Sequence, residues 1–365
     1  MKGIIKFLKG VIVFILVLII MLGLIYVTCK YIIKDTKLID NIKRYILGNQ
    51  NEVFVELKDE NFKNEVERAK YFYYMQLDDN AKVIYIVLEN NIDNFKNGKE
   101  NIKLPDSLNK LLESDGGQQK AQQAFQDAWD AFSKDKPELF YLDGNKFYLV
   151  INTVKTFNKT DYELLIGKGK NETYFSDGFK TINQVNTAIE KMDESKKKLK
   201  SKIETKNEEY TYSYEKVLTI HDWIIDNVEY DEELKEHNNG NAYGALCDNI
   251  AVCEGYAEAF KYMMDALEVP CITVCGIGKN SDGKEEKHAW NYVYIANKWY
   301  AVDTTWDDPI INSNSDVSRL NSKVKYKYFL KGSNTINKDH VITGQIVDNG
   351  KIFAYPDLDT EDFKK

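Results

Sequence analysis

The sequence has few cysteines, few prolines and no excess of basic charge. Among 365 residues there are five cysteines and five prolines, and so little cysteine excludes a scaffold built from disulfide bonds. The 49 basic and 57 acidic side chains give a net charge of −8, which argues against a protein that coats nucleic acid, because that binding needs a basic surface. With 43% hydrophobic and 13% aromatic residues, the chain is neither disordered nor collagen-like and can bury a sizeable core.

Charged side chains are also missing from residues 10–29. A helix of that length spans about 30 Å, the thickness of the bilayer core, so we predict a transmembrane helix. A cleaved signal peptide is the alternative, but its apolar part usually has about 7–15 residues before a small-residue cleavage site, and residues 25–29 offer no such site. Lipid modification of Cys29 is disfavoured by the Thr28 and Tyr26 that precede it.

The predicted anchor separates two unequal parts of the chain. Residues 1–9 form a short basic tail with three lysines, which leaves 46 basic and 57 acidic groups, a charge of −11, in the rest. Both flanks of the anchor are basic, but long domains translocate largely regardless of charge. We therefore expect the tail in the cytoplasm and the large part outside the cell membrane. A change of character near Glu208 divides that part into a membrane-proximal α+β region, 30–207, and a second domain, 208–365.

Helix and strand patterns follow one another in mixed order, which predicts an α+β fold. Apolar residues three and four apart indicate helices, and alternating or β-branched runs indicate strands. The predicted helices are 61–77, 83–88, 118–133, 181–204, 214–230 and 257–267. The predicted strands are 51–57, a hairpin of 139–142 and 147–153 around Asp143 and Gly144, and a second hairpin of 288–295 and 298–306.

Cys253 is the residue that first points to chemistry. It lies just before the predicted helix 257–267, where unpaired N–H groups and the positive end of the helix dipole favour a thiolate. A buried, unreactive cysteine is the structural alternative. His288 and Asp303 lie on the two strands of the later hairpin, where they could act as proton acceptor and as the carboxylate that orients the imidazole.

The register of this hairpin decides whether His288 and Asp303 can meet. A two-residue turn at Asn297 and Lys298 leaves them roughly 13 Å apart, and a three-residue loop places them on opposite faces. A four-residue connection, 295–298, pairs Tyr294 with Trp299 and makes Asp303 a same-face diagonal neighbour of His288 at about 7–8 Å. If His288 and Asp303 form a catalytic pair, we predict this connection, or a bulge with the same effect.

These segments together resemble the transglutaminase-like superfamily. The matching segments are YGAL at 243–246, VCEGYA at 252–257, HAWN at 288–291 and WYAVDTTWDD at 299–308. More narrowly, the chain is similar to bacterial membrane-anchored transglutaminase-domain proteins, through HDW at 221–223, KPELFY at 136–141 and YFLKGS at 328–333. The resemblance implies a papain-like α+β core, in which a helix bearing the cysteine packs on an antiparallel sheet. It assigns Cys253 as nucleophile, His288 as base and Asp303 as orienting acid.

The resemblance also implies thiol acyl transfer without a cofactor or metal. The thiolate attacks a glutamine side-chain amide or a peptide carbonyl, a thioester forms, and an amine or water resolves it. We expect a protein or peptide substrate at the cell envelope, such as a wall-associated protein, with membrane contact through the anchor and no nucleic-acid partner. Two alternatives stay open: a cysteine peptidase without transfer activity, and a catalytically silent binding or scaffold protein.

The sequence indicates only one natural donor for the oxyanion hole of the predicted site. The backbone N–H of Cys253 is the natural first donor. Asn249 and Tyr256 are candidates for the second donor or for the cleft, with a surface turn and core packing as their alternatives. Trp290 shares the strand face of His288 and is expected to shield the imidazole from water.

Other cysteines and histidines are interpreted as structural. Cys271 and Cys275 share a strand face at roughly 13 Å, too far apart for one zinc ion or a disulfide. His221 and His340 are each isolated in sequence from other metal-type residues, so we expect structural hydrogen bonds. No metal site is predicted.

Overall fold

The computed structural model describes residues 62–156, 159–204, 213–280, 283–308 and 325–365. The predicted transmembrane helix, 10–29, and the predicted strand 51–57 lie outside these residues. Within them, none of the helices is both apolar and long enough to cross a bilayer. The anchor therefore stays a prediction from the sequence.

Helices and three small sheets alternate along the described residues, so the α+β prediction is confirmed. The helices are α1 (Glu65–Lys70), α2 (Asp79–Asn90), α3 (Ile92–Lys96), α4 (Asn109–Leu112), α5 (Gly117–Asp135), α6 (Ile182–Glu204), α7 (Ser213–Asn227), α8 (Cys253–Ala266) and α9 (Ser333–Ile336). Short 3₁₀ segments occupy Tyr74–Gln76, Asp106–Leu108, Pro137–Leu139 and Gly144–Lys146, and a π-helical turn occupies Gly244–Asp248.

Antiparallel pairing dominates the sheets. One sheet has the order β1-β3-β2, and another has the order β8-β7-β6-β9; strands β4 and β5 form a short parallel pair. The strands are β1 (Ile102–Lys103), β2 (Tyr148–Thr156), β3 (Lys159–Gly167), β4 (Glu229–Tyr230), β5 (Ile250–Ala251), β6 (Cys271–Lys279), β7 (Glu285–Ile295), β8 (Lys298–Val302) and β9 (His340–Ile342).

The predicted helix 61–77 is wrong over its second half. Helix α1 begins at an N-cap, Asn64, whose side chain accepts from the N–H of Glu67, and it ends at Lys70. The N–H groups of Tyr73 and Tyr74 then donate to the two carboxylate oxygens of buried Asp135, at 3.0 and 2.9 Å. A side chain distant in sequence thus replaces the helical partners of these N–H groups.

The predicted hairpin of 139–142 with 147–153 is also wrong. Strand β2 pairs instead with β3, from Tyr148 opposite Gly167 to Thr156 opposite Lys159. The Asp143 carboxylate accepts from the N–H of Asn145 and starts a 3₁₀ turn. Gly144 lies so close to the Trp129 indole that a Cβ there would be 1.9 Å from its nitrogen. Packing against α5 therefore determines the shape of this turn.

Helix α8 packs against strands β6 and β7. Its apolar side chains, Tyr256, Ala259, Phe260, Met263 and Met264, are buried in a core shared with α6, α7 and the segment around Phe140. This core therefore has members on both sides of the predicted boundary between 207 and 208, and the boundary itself stays a prediction.

A buried ion cluster joins α5 to α8, the helix that begins at Cys253. Lys134 of α5 is 4% exposed, and its ammonium contacts the carboxylates of Glu254 and Glu258 on α8, the latter at 3.0 Å. Burial opposes the charge on Lys134, but the two carboxylates outweigh it and raise the pKa of Lys134 well above its usual value. These contacts hold α8 in place at Glu254, the residue that follows Cys253.

Candidate active site

Cys253 is the first residue of helix α8. Strand β5 leads to it, and Val252 adopts the extended N-cap conformation without a side-chain cap. The thiol is half-buried and belongs to the first turn of the helix, the end at which helices have unpaired N–H groups and the positive end of the dipole. The predicted placement of Cys253 at a helix N-terminus is confirmed.

His288 of β7 and Asp303, which directly follows β8, are in contact. The Nε2 atom of His288 lies 2.7 Å from Oδ2 of Asp303, and both side chains are buried. The Cys253 thiol is close enough to the same imidazole to contribute to raising its pKa. Since Asp303 occupies Nε2, Nδ1 is the ring nitrogen left for the thiol. The structure therefore brings together all three residues proposed as a triad.

The hairpin has the register that the sequence required, with a shorter turn. Tyr294 lies opposite Trp299, as predicted, but Ile295 and Lys298 also pair. The connection is thus the two residues Ala296 and Asn297, both with positive φ, 52° and 61°. Two such residues suit a primed turn, which matches the strand twist, so the predicted four-residue connection is corrected.

Hydrogen bonds keep Asp303 ionised despite its burial. Its Oδ1 atom accepts from the backbone N–H groups of Thr305 and Trp306, at 2.9 and 3.0 Å. Burial alone would raise the pKa of this carboxyl, but His288 and His340 hold it well below its usual value. Burial likewise opposes the charge on His288, yet Asp303 and Cys253 raise the pKa of His288 to about 10. The His288–Asp303 pair therefore stabilises the protonated imidazole of His288.

His340 is a member of this cluster that the sequence interpretation placed elsewhere. Its Nε2 atom lies 3.0 Å from the same Asp303 oxygen that contacts His288. Its Nδ1 atom lies 2.8 Å from Asp339, whose carboxylate accepts from the Tyr328 hydroxyl at 2.6 Å. The expected structural hydrogen bonds of His340 are present, but they involve the candidate catalytic carboxylate. Strand β9, which pairs with β6, carries His340 into place, and no local sequence pattern signals that pairing.

Two indoles enclose the His288 ring. Trp290 stacks at 5.9 Å between ring centroids, as its predicted shielding role requires, and Trp306 stacks closer, at 4.8 Å. Two glycines on β6 make this packing feasible. A Cβ on Gly276 would be 2.7 Å from the Trp290 ring, and one on Gly278 would be 2.6 Å from the Trp306 ring. The two glycines thus leave room for the indoles that enclose His288.

The two candidates for a second oxyanion donor lie in other surroundings. Asn249 is exposed, has a left-handed backbone (φ 57°) and ends the π-helical turn. Tyr256 is fully buried, and its hydroxyl lies 2.8 Å from Asp308 and 3.1 Å from the carbonyl of Val228. The left-handed turn at Asn249 and the buried hydrogen bonds of Tyr256 agree with the structural alternatives, and a role of either residue as second donor stays a prediction.

A second buried histidine–carboxylate cluster lies on helix α7. Nε2 of His221 is 3.0 Å from Asp307, and Nδ1 is 3.1 Å from Asp222. The other oxygen of Asp307 accepts from the N–H of Tyr328 at 2.8 Å. Burial raises the pKa of Asp307 to about 6, even though His221 lowers it. The expected structural role of His221 is borne out by these bonds.

His288, Asp303 and His340 are also a potential metal-binding set among the described residues. One ligand atom from each lies within 4.8 Å of the others. Direct hydrogen bonds already satisfy these atoms, so a metal would have to displace the protons between them. The expectation that the site works without a metal stays a prediction. Outside this set, Cys271 and Cys275 are free thiols on β6.

Comparison with known protein families gives a match over the part of the chain that contains the candidate site. Residues 197–304 match the sequence model of the transglutaminase-like superfamily. The kyphoscoliosis peptidases of mouse and human are 31% and 30% identical over 136 residues, 34% of this chain. The matched segment spans 20% of the length of those relatives.

Among solved structures, a TGase shares 16% identity over 52% of this chain and 53% of its own, with a TM-score of 0.30. The periplasmic domain of TgpA from Pseudomonas aeruginosa shares 13% identity over 46% of this chain and 69% of its own, with a TM-score of 0.24. The residues that match the transglutaminase-like superfamily model, 197–304, include Cys253, His288 and Asp303.

Proposed function

We propose that this protein is a thiol acyl-transfer enzyme that acts on glutamine side-chain amides or peptide bonds of proteins or peptides. The observation that carries the proposal is the meeting of a half-buried Cys253, at a helix N-terminus, with buried His288 and Asp303. Each residue has a defined role there: nucleophile, proton carrier and orienting carboxylate.

The geometry suggests a two-stage reaction. His288 takes the thiol proton through Nδ1, and the Cys253 sulfur attacks the carbonyl carbon to give a tetrahedral oxyanion. As the C–N bond breaks, the imidazolium gives that proton to the leaving ammonia or amine, and a thioester remains. An incoming amine or water then loses a proton to His288 and attacks the thioester, and the thiol leaves with the proton. Asp303 keeps its charge and fixes the ring throughout.

Hydrolysis is the alternative with a specific observation behind it. The relatives matched over 136 residues are named as peptidases. If water alone resolves the thioester, the same three residues perform cysteine peptidase chemistry. A catalytically silent scaffold is the remaining alternative. It predicts that Cys253 has no enhanced reactivity.

The proposed location follows from the sequence. We propose a single membrane pass at residues 10–29, with the enzyme domain outside the cytoplasm and substrates at the cell envelope. The support is the stretch of twenty residues without charge and the length of chain that follows it. Accessibility of residues 62–365 to protease in intact cells tests this topology. Full protection of this part would contradict it.

Thiol labelling tests the enzyme proposal directly. We expect iodoacetamide to label Cys253 faster near neutral pH than it labels a free thiol in a peptide, and His288→Ala to remove that advantage. The matched control is His221→Ala, which removes the other buried carboxylate-bound imidazole. Equal labelling of Cys253 in the wild type and in His288→Ala would refute thiol catalysis. Incorporation of a fluorescent amine into a glutamine-containing protein, as against release of cleaved peptide, separates transfer from hydrolysis.

A further inference from the structure

A groove along helix α5 reaches the residue that follows Cys253. Its cavity of about 470 Å³ is bounded by one face of α5, the turn at Gly144, the segment around Gly240 and the first two turns of α8. Glu254 belongs to this lining, and a Cβ on Gly240 would lie 3.7 Å from its Oε2 atom. One end of the groove is therefore next to the candidate nucleophile in the chain, and the rest extends over α5.

The walls of the groove are largely apolar, and its rim is open to solvent. Trp129, Phe147 and Val347 contribute apolar surface to the lining. The indole of Trp129 is held against Phe147, at 4.5 Å between ring centroids, and against the backbone of Gly144. The lining also includes Gln122, which is exposed. Such walls suit the aliphatic stem of a long side chain that carries its charge at the tip.

Asp130 has an unpaired carboxylate oxygen in the wall of this groove. The residue is 2% exposed, and its Oδ1 atom accepts from the Gln126 side chain at 2.7 Å. Its Oδ2 atom is buried and has no hydrogen-bond partner among the described residues. This oxygen lies beside the turn that contributes Val347 to the lining, since a Cβ on Gly350 would be 3.3 Å from it. A buried carboxylate oxygen without a donor is costly in free energy, and a donor from a ligand would remove that cost.

The charges of the lining favour a cation. Four carboxylates, two ammonium groups and one imidazole belong to it, those of Asp130, Asp143, Glu254, Glu258, Lys134, Lys136 and His237. Lys134 is shared between two of the carboxylates, and the ammonium of Lys136 lies 2.7 Å from Glu89, which is not part of the lining. Burial raises the pKa of Asp130 to about 6, so this carboxyl is mostly ionised at neutral pH. The negative charge of the groove therefore exceeds the positive charge.

We propose that this groove is a substrate subsite that binds the side chain of a basic residue, with Asp130 as the group that pairs with its charge. The inference rests on the proposed acyl transfer, which makes the ligand a polypeptide with its reacting carbonyl at Cys253. The four residues from Asp130 to Lys134 span about 6 Å of helix, and Lys134 contacts Glu254. The basic residue therefore lies a few positions from the reacting one along an extended substrate. The bound cation selects the substrate and takes no part in the reaction.

Arginine and citrulline peptides test the subsite apart from the reaction. Their side chains have nearly the same shape, only arginine is charged, and neither is an amine that can resolve the thioester. The full-length chain with Cys253→Ala is mixed with fluorescent peptides that carry one glutamine and, about two to six positions from it, arginine or citrulline. Fluorescence anisotropy measures binding. At the best spacing we expect the arginine peptide to bind about 10- to 100-fold more tightly, the equivalent of a hydrogen bond to a charged group.

Asp130→Asn should remove this preference, because the amide can still accept from Gln126 but carries no charge. The affinity for the arginine peptide should fall about 10- to 100-fold and match that for the citrulline peptide. Asp127→Asn is the matched control, since Asp127 is on the same helix, outside the lining, and accepts from Gln123 at 2.7 Å. It should change the affinity less than about twofold. With Cys253 intact, Asp130→Asn should raise KM and leave kcat and iodoacetamide labelling within about twofold.

Three results would overturn the subsite. The first is equal binding of the arginine and citrulline peptides, a comparison that does not depend on whether Asp130→Asn folds. The second is an arginine preference that survives in Asp130→Asn or is lost equally in Asp127→Asn. The third is binding of N-acetylarginine amide as tight as that of the peptides, which would show a small-molecule site. An arginine preference that depends on Asp130, in a wild type without turnover, would refute acyl transfer and leave the cation site standing.

Discussion

The molecule contains two buried histidine–carboxylate clusters, and they differ in what lies beside them. In the first, His288 and His340 share Asp303; in the second, Asp222 and Asp307 share His221. The imidazoles of both clusters are almost fully buried. The first has Cys253 and a helix N-terminus next to its imidazole, whereas the second has the rings of Tyr326 and Phe329.

A buried imidazole with a carboxylate therefore occurs twice in this structure, and the proposed catalytic role of one cluster depends on its third neighbour, Cys253. The two clusters also differ in their ratio of imidazoles to carboxylates. One carboxylate serving two imidazoles stays strongly acidic, because both rings donate to it. Asp307, which receives one imidazole and one backbone N–H, has a pKa raised to about 6 by burial. The clusters can therefore be separated by matched substitutions.

The largest expected effect is the loss of turnover in Cys253→Ser and His288→Ala. Removal of a nucleophile or its base costs about 10⁴-fold or more in enzymes with a triad. His221→Ala should retain turnover within about tenfold at temperatures where it is folded. Steady-state rates with a glutamine-containing protein and a fluorescent amine measure all three. Equal losses in His221→Ala and His288→Ala would erase the distinction between the clusters.

Asp303→Asn and Asp307→Asn make the next comparison. The first should lower turnover by about 10⁴-fold, because an amide does not stabilise the imidazolium and can favour the wrong tautomer. The second should leave the rate within a few-fold and lower the free energy of unfolding by about 1–3 kcal/mol. Turnover and urea unfolding of the same two proteins provide the measurement. A larger loss of turnover in Asp307→Asn would show that the catalytic carboxylate belongs to the other cluster.

Removal of His340 should have a smaller effect with a defined sign. In His340→Ala the whole charge of Asp303 acts on His288, so its imidazolium should hold its proton to higher pH. The alkaline limb of the iodoacetamide profile should move up by about 0.5–1 pH unit, the equivalent of one hydrogen bond. His340→Gln, which can still donate to Asp303, should move it less. A downward shift in both variants would indicate that His340 acts only by holding Asp303 in place.

The pH dependence of stability should show the smallest effect. The raised pKa of His288 means that its contribution is complete below the unfolded value of about 6.5 and is lost as the pH rises through about 10. The lowered pKa of Asp303 means that its contribution is complete above about 4 and is lost in stronger acid. The difference in unfolding free energy between wild type and Asp303→Asn should thus be greatest near pH 4–6.5. A difference that grows from pH 6 to pH 10 would contradict the ion pair.

The sequence allowed prediction of the features that depend on local pattern. Helices α5 and α6, the helical start at Cys253 and the register that joins His288 to Asp303 all follow from periodicity and parity. The failures have a common cause. The hairpin at 139–153 and the second half of the helix at 61–77 are overridden by contacts distant in sequence. His340 reaches the site through β9, a strand of three residues whose partner no local pattern identifies.

The contacts of Lys134 with helix α8 have a practical consequence for making smaller forms of this protein. A fragment cut at the predicted boundary, 208–365, or at the matched core, 197–304, contains Cys253, His288 and Asp303 but leaves out Lys134. It would leave Glu258, whose carboxylate is 5% exposed next to Glu254, without its cation. Such minimal fragments should therefore be poorly soluble or unstable, and a useful shortened protein would begin ahead of α5.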